Sequence, residues 1–243
     1  MTDDRQPSGA DSAWRAVAKH LFPQGHDIVQ DGDLLAGTGR CGPHTLAVSG
    51  TANHAETGIE ICLAMARCVL RTVHAHPGRP LLFLIDTQGQ RLRRRDELLG
   101  IHRYMAHLAS CVQIARTRGH PVLGLVYDQA LSGGILASAM SADVCAALPE
   151  AEIRVMNLTA MARVTRIPEE RLRELSLTSR VFAPGAINYV AMGAVDALWS
   201  GDLAQCLAQA LSSTEVRDRR AERGLDRGGR LLAYQVVQRV AHG

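Results

Sequence analysis

Two short polar stretches in the 243-residue chain combine glycine with side chains suited to handling an acyl group. One is Ile85-Asp86-Thr87-Gln88-Gly89-Gln90; the other is Asp128-Gln129-Ala130-Leu131-Ser132-Gly133-Gly134. Each reads as a turn after a buried strand, and the second opens directly into a helix. Glycine lets a ligand approach a backbone N–H closely. An N–H at a helix start also feels the positive end of the helix dipole, so such donors suit the negative oxygen that develops in acyl chemistry. If the two strands are neighbours, each turn can supply one amide. The plain alternative is a pair of tight strand-to-helix turns without chemistry, and spacing alone does not separate the two.

Other chemistries fit less well. Ala130-x-Ser132-x-Gly134 imitates a nucleophile elbow, but a serine hydrolase on that scaffold needs a downstream histidine. After Ser132 only His242 remains, the penultimate residue, which disfavours a standalone hydrolase. His74-x-His76 and the pair His102 and His107 lack third and fourth ligands nearby in sequence, so no metal is expected. A Walker A motif is missing, as is GxGxxG after a strand, which argues against a nucleotide cofactor. Arg91, Arg93, Arg94 and Arg95 read by default as a solvated loop, with an anionic partner or phosphate as the alternative.

The elements that would position these turns follow from apolar periodicity. Residues 56–74 carry Ile59, Cys62, Leu63, Ala66, Leu70 and Val73 on one face, a half-buried helix that Pro77-Gly78 and Pro80 end. Residues 81–85 and 121–127 are unbroken apolar runs, too short for helices and right for buried strands. Between them a loop over 86–95 leads to a helix bearing Leu98, Ile101, Met105, Leu108, Val112 and Ala115, capped by Gly119. A short helix to about residue 139 and a strand at 143–148 follow. Such alternation implies parallel strands covered by helices. Ahead of it, 33–38 and 45–49 read as short strands, and 14–21 as a short helix in an otherwise frayed start. Helices are expected from Pro168, from Pro184-Gly185 and over 202–211, then an arginine-rich stretch with an apolar helical end (Leu231, Leu232, Val236, Val237, Val240) that docks on the body or on a partner.

Composition narrows the classes. With 27 basic and 24 acidic residues the net charge is +3, too small and dispersed for a nucleic-acid binder. No run approaches the ~18 apolar residues of a membrane span. The start lacks the pattern of a secretory signal. Six cysteines without a CxxC pair fit free thiols in a reducing cytoplasm.

Taken together, LLFLIDTQGQ, PVLGLVYDQALSGGILASAMSADVCAALPEAEIRVMN and their spacing resemble the carboxyltransferase branch of the crotonase superfamily. Within it, DTQGQRLRRRDELLGIHRYMAHLA, VYDQALSGG, AEIRVMNLTAMARVTRIP and VFAPGAINYVAMGAVDALW are similar to the γ subunits of biotin-independent malonate decarboxylases. The resemblance covers about residues 25–205. It implies an α/β crotonase-like fold, a spiral of ββα units with outer helices. The parts would be a flexible segment over 1–25, a carboxyltransferase-type domain over 26–212 and a helical extension over 213–243.

The same resemblance implies a β subunit sharing the active site, an acyl carrier protein and an acyl carrier protein transferase (α) subunit. The substrate would be malonyl carried on the phosphoribosyl-dephospho-CoA arm of that carrier, with no cofactor bound by this chain. Gly133, Gly134, Gly89, Gln90 and Ser132 are then the expected catalytic group, and Gln88, Gln129, Leu131, Ile135 and Tyr127 the expected substrate contacts. One departure stands out: Gln88 occupies the place where carboxyltransferases commonly carry proline. Two readings stay open, a catalytic half-site and a scaffold that orients a catalytic partner. Gly134→Pro, which removes one N–H at a helix start, is the expected discriminating change.

Overall fold

Buried apolar runs build the centre of the sheet. The computed structural model describes residues 12–156, 158–178, 185–214, 218–226 and 231–242. The chain begins with α1 (Ala13–Leu21), then β1 (Val29–Asp31), β2 (Leu34–Cys41), β3 (His44–Thr51), β4 (Ala55–Thr57) and α2 (Ile59–Ala75). Next come β5 (Leu81–Gln90), α3 (Arg94–Leu99), α4 (Ile101–Thr117), β6 (Val122–Leu131), α5 (Gly133–Leu136), β7 (Val144–Ala147) and β8 (Glu152–Arg154). The rest is α6 (Leu158–Thr165), α7 (Glu169–Thr178), α8 (Ala186–Ala191), β9 (Ala197–Leu198), α9 (Leu203–Ser213), α10 (Arg220–Asp226) and α11 (Leu231–His242).

Among the described residues these strands form one nine-stranded sheet, ordered β1-β2-β3-β5-β6-β7-β9, with β4 on β5 and β8 on β6. β1, β2 and β3 are antiparallel; from β3 onward every pairing is parallel, as strand–helix alternation demands. Side chains on β5 alternate between two cores. Leu81, Phe83 and Ile85 pack with α2 and α4 on one face, whereas Leu82 and Leu84 face α1 and α9 on the other. Burying each such side chain stabilises the fold by about 1.5–3 kcal/mol, which is why this strand sits at the centre.

Several boundaries differ from the sequence expectations. The first polar turn and the start of the second prove to be strand: β5 runs on to Gln90 and β6 to Leu131, because the three-residue strands β4 and β8 lie alongside them. The helix expected between them is broken at Gly100, which adopts φ 76° and separates α3 from α4. The short helix expected over 14–21 is present as α1, but its Trp14 and Leu21 are 2% and 0% exposed and pack against the α9 side of the sheet, while residues 1–11 lie outside the described residues. That helix is part of the body, because its apolar stripe covers the second core.

The arginines also find more partners than a solvated run would. Arg91 grips Asp96 and Glu60, Arg93 reaches Glu56 and Arg95 reaches Glu60. Arg220 and Arg223 of α10 donate to the main-chain carbonyls of Ser141 and Asp143. Arg217, Arg227 and Arg230 lie outside the described residues. The final helix α11 buries none of its residues, so its apolar side chains do not dock on the body.

Candidate active site

The site is assembled where β5 and β6 end side by side. β5 bulges between Ile85 and Thr87, then pairs Thr87 with Ala130 of β6 and with Ala55 of β4. The buried Thr87 hydroxyl donates to the Ala55 carbonyl at 2.7 Å and accepts the Gly89 N–H at 3.0 Å. Thr57 lies 2.9 Å from the same hydroxyl. Thr87 has already given its proton, so Thr57 is the donor in that pair.

Gly89 serves by what it lacks. Its φ is +102°, and a Cβ there would lie 2.9 Å from both the Leu131 carbonyl oxygen and the Ser132 Cβ. Glycine lets the two strand ends touch. Its own N–H is committed to Thr87, so the amide expected from this residue is not offered to a ligand.

Ser132 follows with φ 54° and ψ −141°, a conformation that costs a non-glycine residue about 1–3 kcal/mol. Its N–H is held by the Arg154 carbonyl at 3.1 Å. The consequence is a pair of donors aimed at one point. The Ser132 hydroxyl donates to Gln90 Oε1 at 3.0 Å, and the Gly133 N–H donates to the same oxygen at 3.1 Å. Gly134 sits in the first turn of α5, where N–H groups have no intrahelical acceptor. A Cβ at Gly134 would be 3.0 Å from the Thr57 and Thr87 hydroxyl oxygens, so the threonine pair floors the turn.

α5 is only four residues long, shorter than the helix expected to about residue 139. A helix so short adds little dipole, and the donors act as individual fixed N–H and O–H groups. The Ser132 hydroxyl is bound to a carboxamide, which cannot take its proton as a histidine would.

A cavity of about 280 Å³ opens beside these donors, lined by Gln90, Ser132, Gly133, Ile135 and Leu136 together with Met140, Ile153, Arg154, Val155 and Tyr189. Those last five were not singled out from the sequence. Met140 sits in the short turn at Ala139–Ser141 that follows α5, whereas Ile153, Arg154, Val155 and Tyr189 come from β8, α8 and the chain around them, which reach the site through the β6–β8 pairing. Arg154 is the most consequential, because its Nε is buried without an acceptor among the described residues while one Nη pairs with Glu152. Burial pushes the Tyr189 phenol up, a Val155 backbone hydrogen bond pulling the other way.

The expected substrate contacts divide. Ile135 lines this cavity, while half-buried Leu131 and Gln129 are held in the β6–β8 ladder. Gln88 and Tyr127 instead line a cleft of about 1400 Å³ on the opposite face of β5. The Tyr127 hydroxyl donates to the Thr51 carbonyl at 2.9 Å. Burial first, then nearby Asp86 and Asp128, push its pKa up, and its place on the larger cleft keeps it away from the smaller cavity.

This architecture places the chain among crotonase-like carboxyltransferase folds. A subunit of transcarboxylase 12S superposes with a TM-score of 0.68 at 21% identity, over 86% of this chain and 42% of that one. A chain of the Pseudomonas malonate decarboxylase hetero-tetramer bound to coenzyme A superposes with a TM-score of 0.78 at 24% identity, covering 95% of this chain and 98% of that one. The Malonomonas rubra malonyl-S-ACP:biotin-protein carboxyltransferase is 29% identical over 204 residues, 74% of this chain and 69% of the relative. The profile of the malonate decarboxylase gamma subunit matches residues 52–243, and the chain belongs to that family.

Proposed function

We propose that this chain is one half of a shared active site that decarboxylates malonyl-S-acyl carrier protein to the acetyl thioester and CO2. The observation that carries the reading is the oxygen position between Ser132 and Gly133, now filled by Gln90 Oε1. When the bond between the methylene carbon and the carboxylate breaks, CO2 leaves, the electron pair flows toward the thioester carbonyl as an enolate, and the methylene carbon then takes one proton from water to give the acetyl thioester. Only interactions that strengthen as this charge grows accelerate the step, and fixed donors do so without reorganising. Arg154 at the same cavity would hold the malonyl carboxylate. The apolar wall formed by Ile135, Met140 and Ile153 gives neutral CO2 a favourable exit.

Size supports a carrier-borne substrate. A cavity of about 280 Å³ accommodates an acyl group and not a pantetheine arm, which must then lie over the surface or against a partner. The family implies that partner, a carboxyltransferase-like β subunit; the similar Pseudomonas enzyme is a hetero-tetramer. The acyl carrier protein, its transferase subunit and the phosphoribosyl-dephospho-CoA arm complete the proposed assembly. The Malonomonas rubra relative is named for transfer from malonyl-S-ACP to a biotin protein, so biotin-free release of CO2 is part of this proposal.

A scaffold role has one observation in its favour: Gln90 already satisfies the donors. Malonyl-thioester turnover by the co-purified pair separates the two. Loss on Gln90→Glu, which would anchor a charged oxygen on both donors, with assembly intact, supports the half-site. Full activity of that variant leaves the scaffold.

A further inference from the structure

On the far face of β5, three side chains distant in sequence meet at the wall of the larger cleft. His54 follows β3, Asp86 lies at the β5 bulge and Asp128 near the end of β6. His54 Nε2 is 3.0 Å from Asp128 Oδ2 and 3.7 Å from Asp86 Oδ1, and one ligand atom from each residue falls within 4.8 Å of the others. Ligands around a cation at ~2.0–2.2 Å stand roughly 3–3.5 Å apart, so small side-chain movements would close this set.

Asp86 supplies an independent pointer. It is 3% exposed, and its Oδ2 is fixed by the His54 main-chain N–H at 2.8 Å. The other oxygen, Oδ1, is buried and faces His54 Nε2; among the described residues no donor meets it in full hydrogen-bonding geometry, the Gln129 main-chain N–H being the other group near this carboxylate. A buried acceptor without a donor is costly, and a cation is the partner that its position suits.

Charge points the same way. Arg91 is spent on Asp96 and Glu60, and Arg93 on Glu56. Arg15 lies 4.5 Å over the Trp14 ring and donates to Ser12. None of these neutralises Asp86 or Asp128, while Asp31 and Asp33 line the same cleft. A divalent ion with neutral His54 and two carboxylates gives a charge-balanced centre.

We propose that His54 Nε2, Asp86 Oδ1 and Asp128 Oδ2 form a three-ligand site for a divalent transition-type cation of the Zn2+ or Mn2+ class. One imidazole and two carboxylates suit such ions better than Ca2+, which takes oxygen ligands throughout. Exposure of His54 and Asp128 to the cleft leaves further positions for water or an anionic ligand. No metal is expected from the sequence because the ligands lie 32 and 74 residues from His54 and share no spacing motif.

The test is calorimetric titration of the chelator-stripped 243-residue chain with Zn2+ alone and with Mn2+ alone, beside His54→Gln and Asp128→Asn. Both side chains are about half exposed, at 53% and 48%, so the variants should keep the wild-type melting temperature. The expected result is one cation per chain for the wild type and binding weakened more than about tenfold in each variant. Absence of binding overturns the assignment. Binding of equal strength in all three proteins overturns it too, placing the metal on other surface histidines.

Discussion

Gln90 Oε1 lies 3.1 Å from the Gly133 amide nitrogen and 3.0 Å from the Ser132 hydroxyl, so a side-chain oxygen from β5 occupies the point on which two donors at the start of α5 converge. In the proposed reaction the thioester oxygen takes that point and Gln90 swings aside. Gln90→Glu should therefore lower kcat of the assembled enzyme by about 100-fold, the scale of losing an oxyanion donor. Gln90→Ala, which clears the point, should keep turnover within a few-fold of wild type. Steady-state kinetics on malonyl thioester checks both, and a fully active Glu variant would remove the oxyanion role.

Arg154 should act mainly through substrate binding. Its cavity position and free Nε fit a carboxylate partner, and lysine cannot present the same planar fork. Arg154→Lys is expected to raise KM for the malonyl thioester by about tenfold, a loss of ~1.4 kcal/mol, with inhibition by the acetyl product unchanged. Equal weakening for both thioesters would count against a carboxylate contact.

The threonine floor constrains which variants are informative. A side chain at Gly134 would crowd the Thr57 and Thr87 hydroxyls, so Gly134→Pro perturbs packing as well as removing an N–H. Gly134→Ala should cost about 1–3 kcal/mol by overpacking. Thr87→Val should cost a similar amount, about 1–3 kcal/mol, since it strands the Ala55 carbonyl and the Gly89 N–H. Urea unfolding of the purified chain measures each.

Acid should loosen the segment after β5. Arg91 holds the Asp96 carboxyl below the usual carboxylate range. Glu60 is pulled down to about 2, by Arg95 first, then by the backbone amide at the start of α2 and by Arg91. A carboxylate whose pKa is lower folded than unfolded stabilises the fold fully above its unfolded value, and that contribution fades as pH falls toward the folded one. Unfolding free energy should thus drop between about pH 5 and about pH 2, and drop less in Arg91→Gln. Exposed Glu60 contributes little through screening, so buried Asp96 dominates the difference.

Trp14 reports on the beginning of the body. Being 2% exposed, with its indole N–H donating to Gln30 at 2.7 Å, it should behave as a core residue. Trp14→Ala is expected to cost about 3–5 kcal/mol, whereas a free segment would tolerate it. Thermal melting followed by circular dichroism distinguishes the two.

These residues also show how far the sequence could be read. The apolar runs at Leu81–Ile85 and before Tyr127 announce the central strands because buried parallel strands need apolar side chains on both faces. The polar continuation from Asp86 to Gln90 carries no such pattern, since its order comes from β4 hydrogen bonds and a threonine pair. Gln90, Ser132 and Gly133 were legible from glycine turns and resemblance together. Arg154 and Tyr189 were not, because β8 and α8 reach the cavity only through tertiary pairing. The same holds for Gln88 and Tyr127: a bulge and strand alternation send them to the opposite face, which spacing could not show.

The most direct test of the shared site is turnover of malonyl-S-acyl carrier protein by this chain alone, by its carboxyltransferase-like partner alone and by the co-purified pair. CO2 release by the pair only, lowered about 100-fold when Gln90→Glu blocks the Ser132–Gly133 donors, is the result predicted here. A stable pair that releases no CO2, or one whose turnover ignores Gln90→Glu, would contradict it.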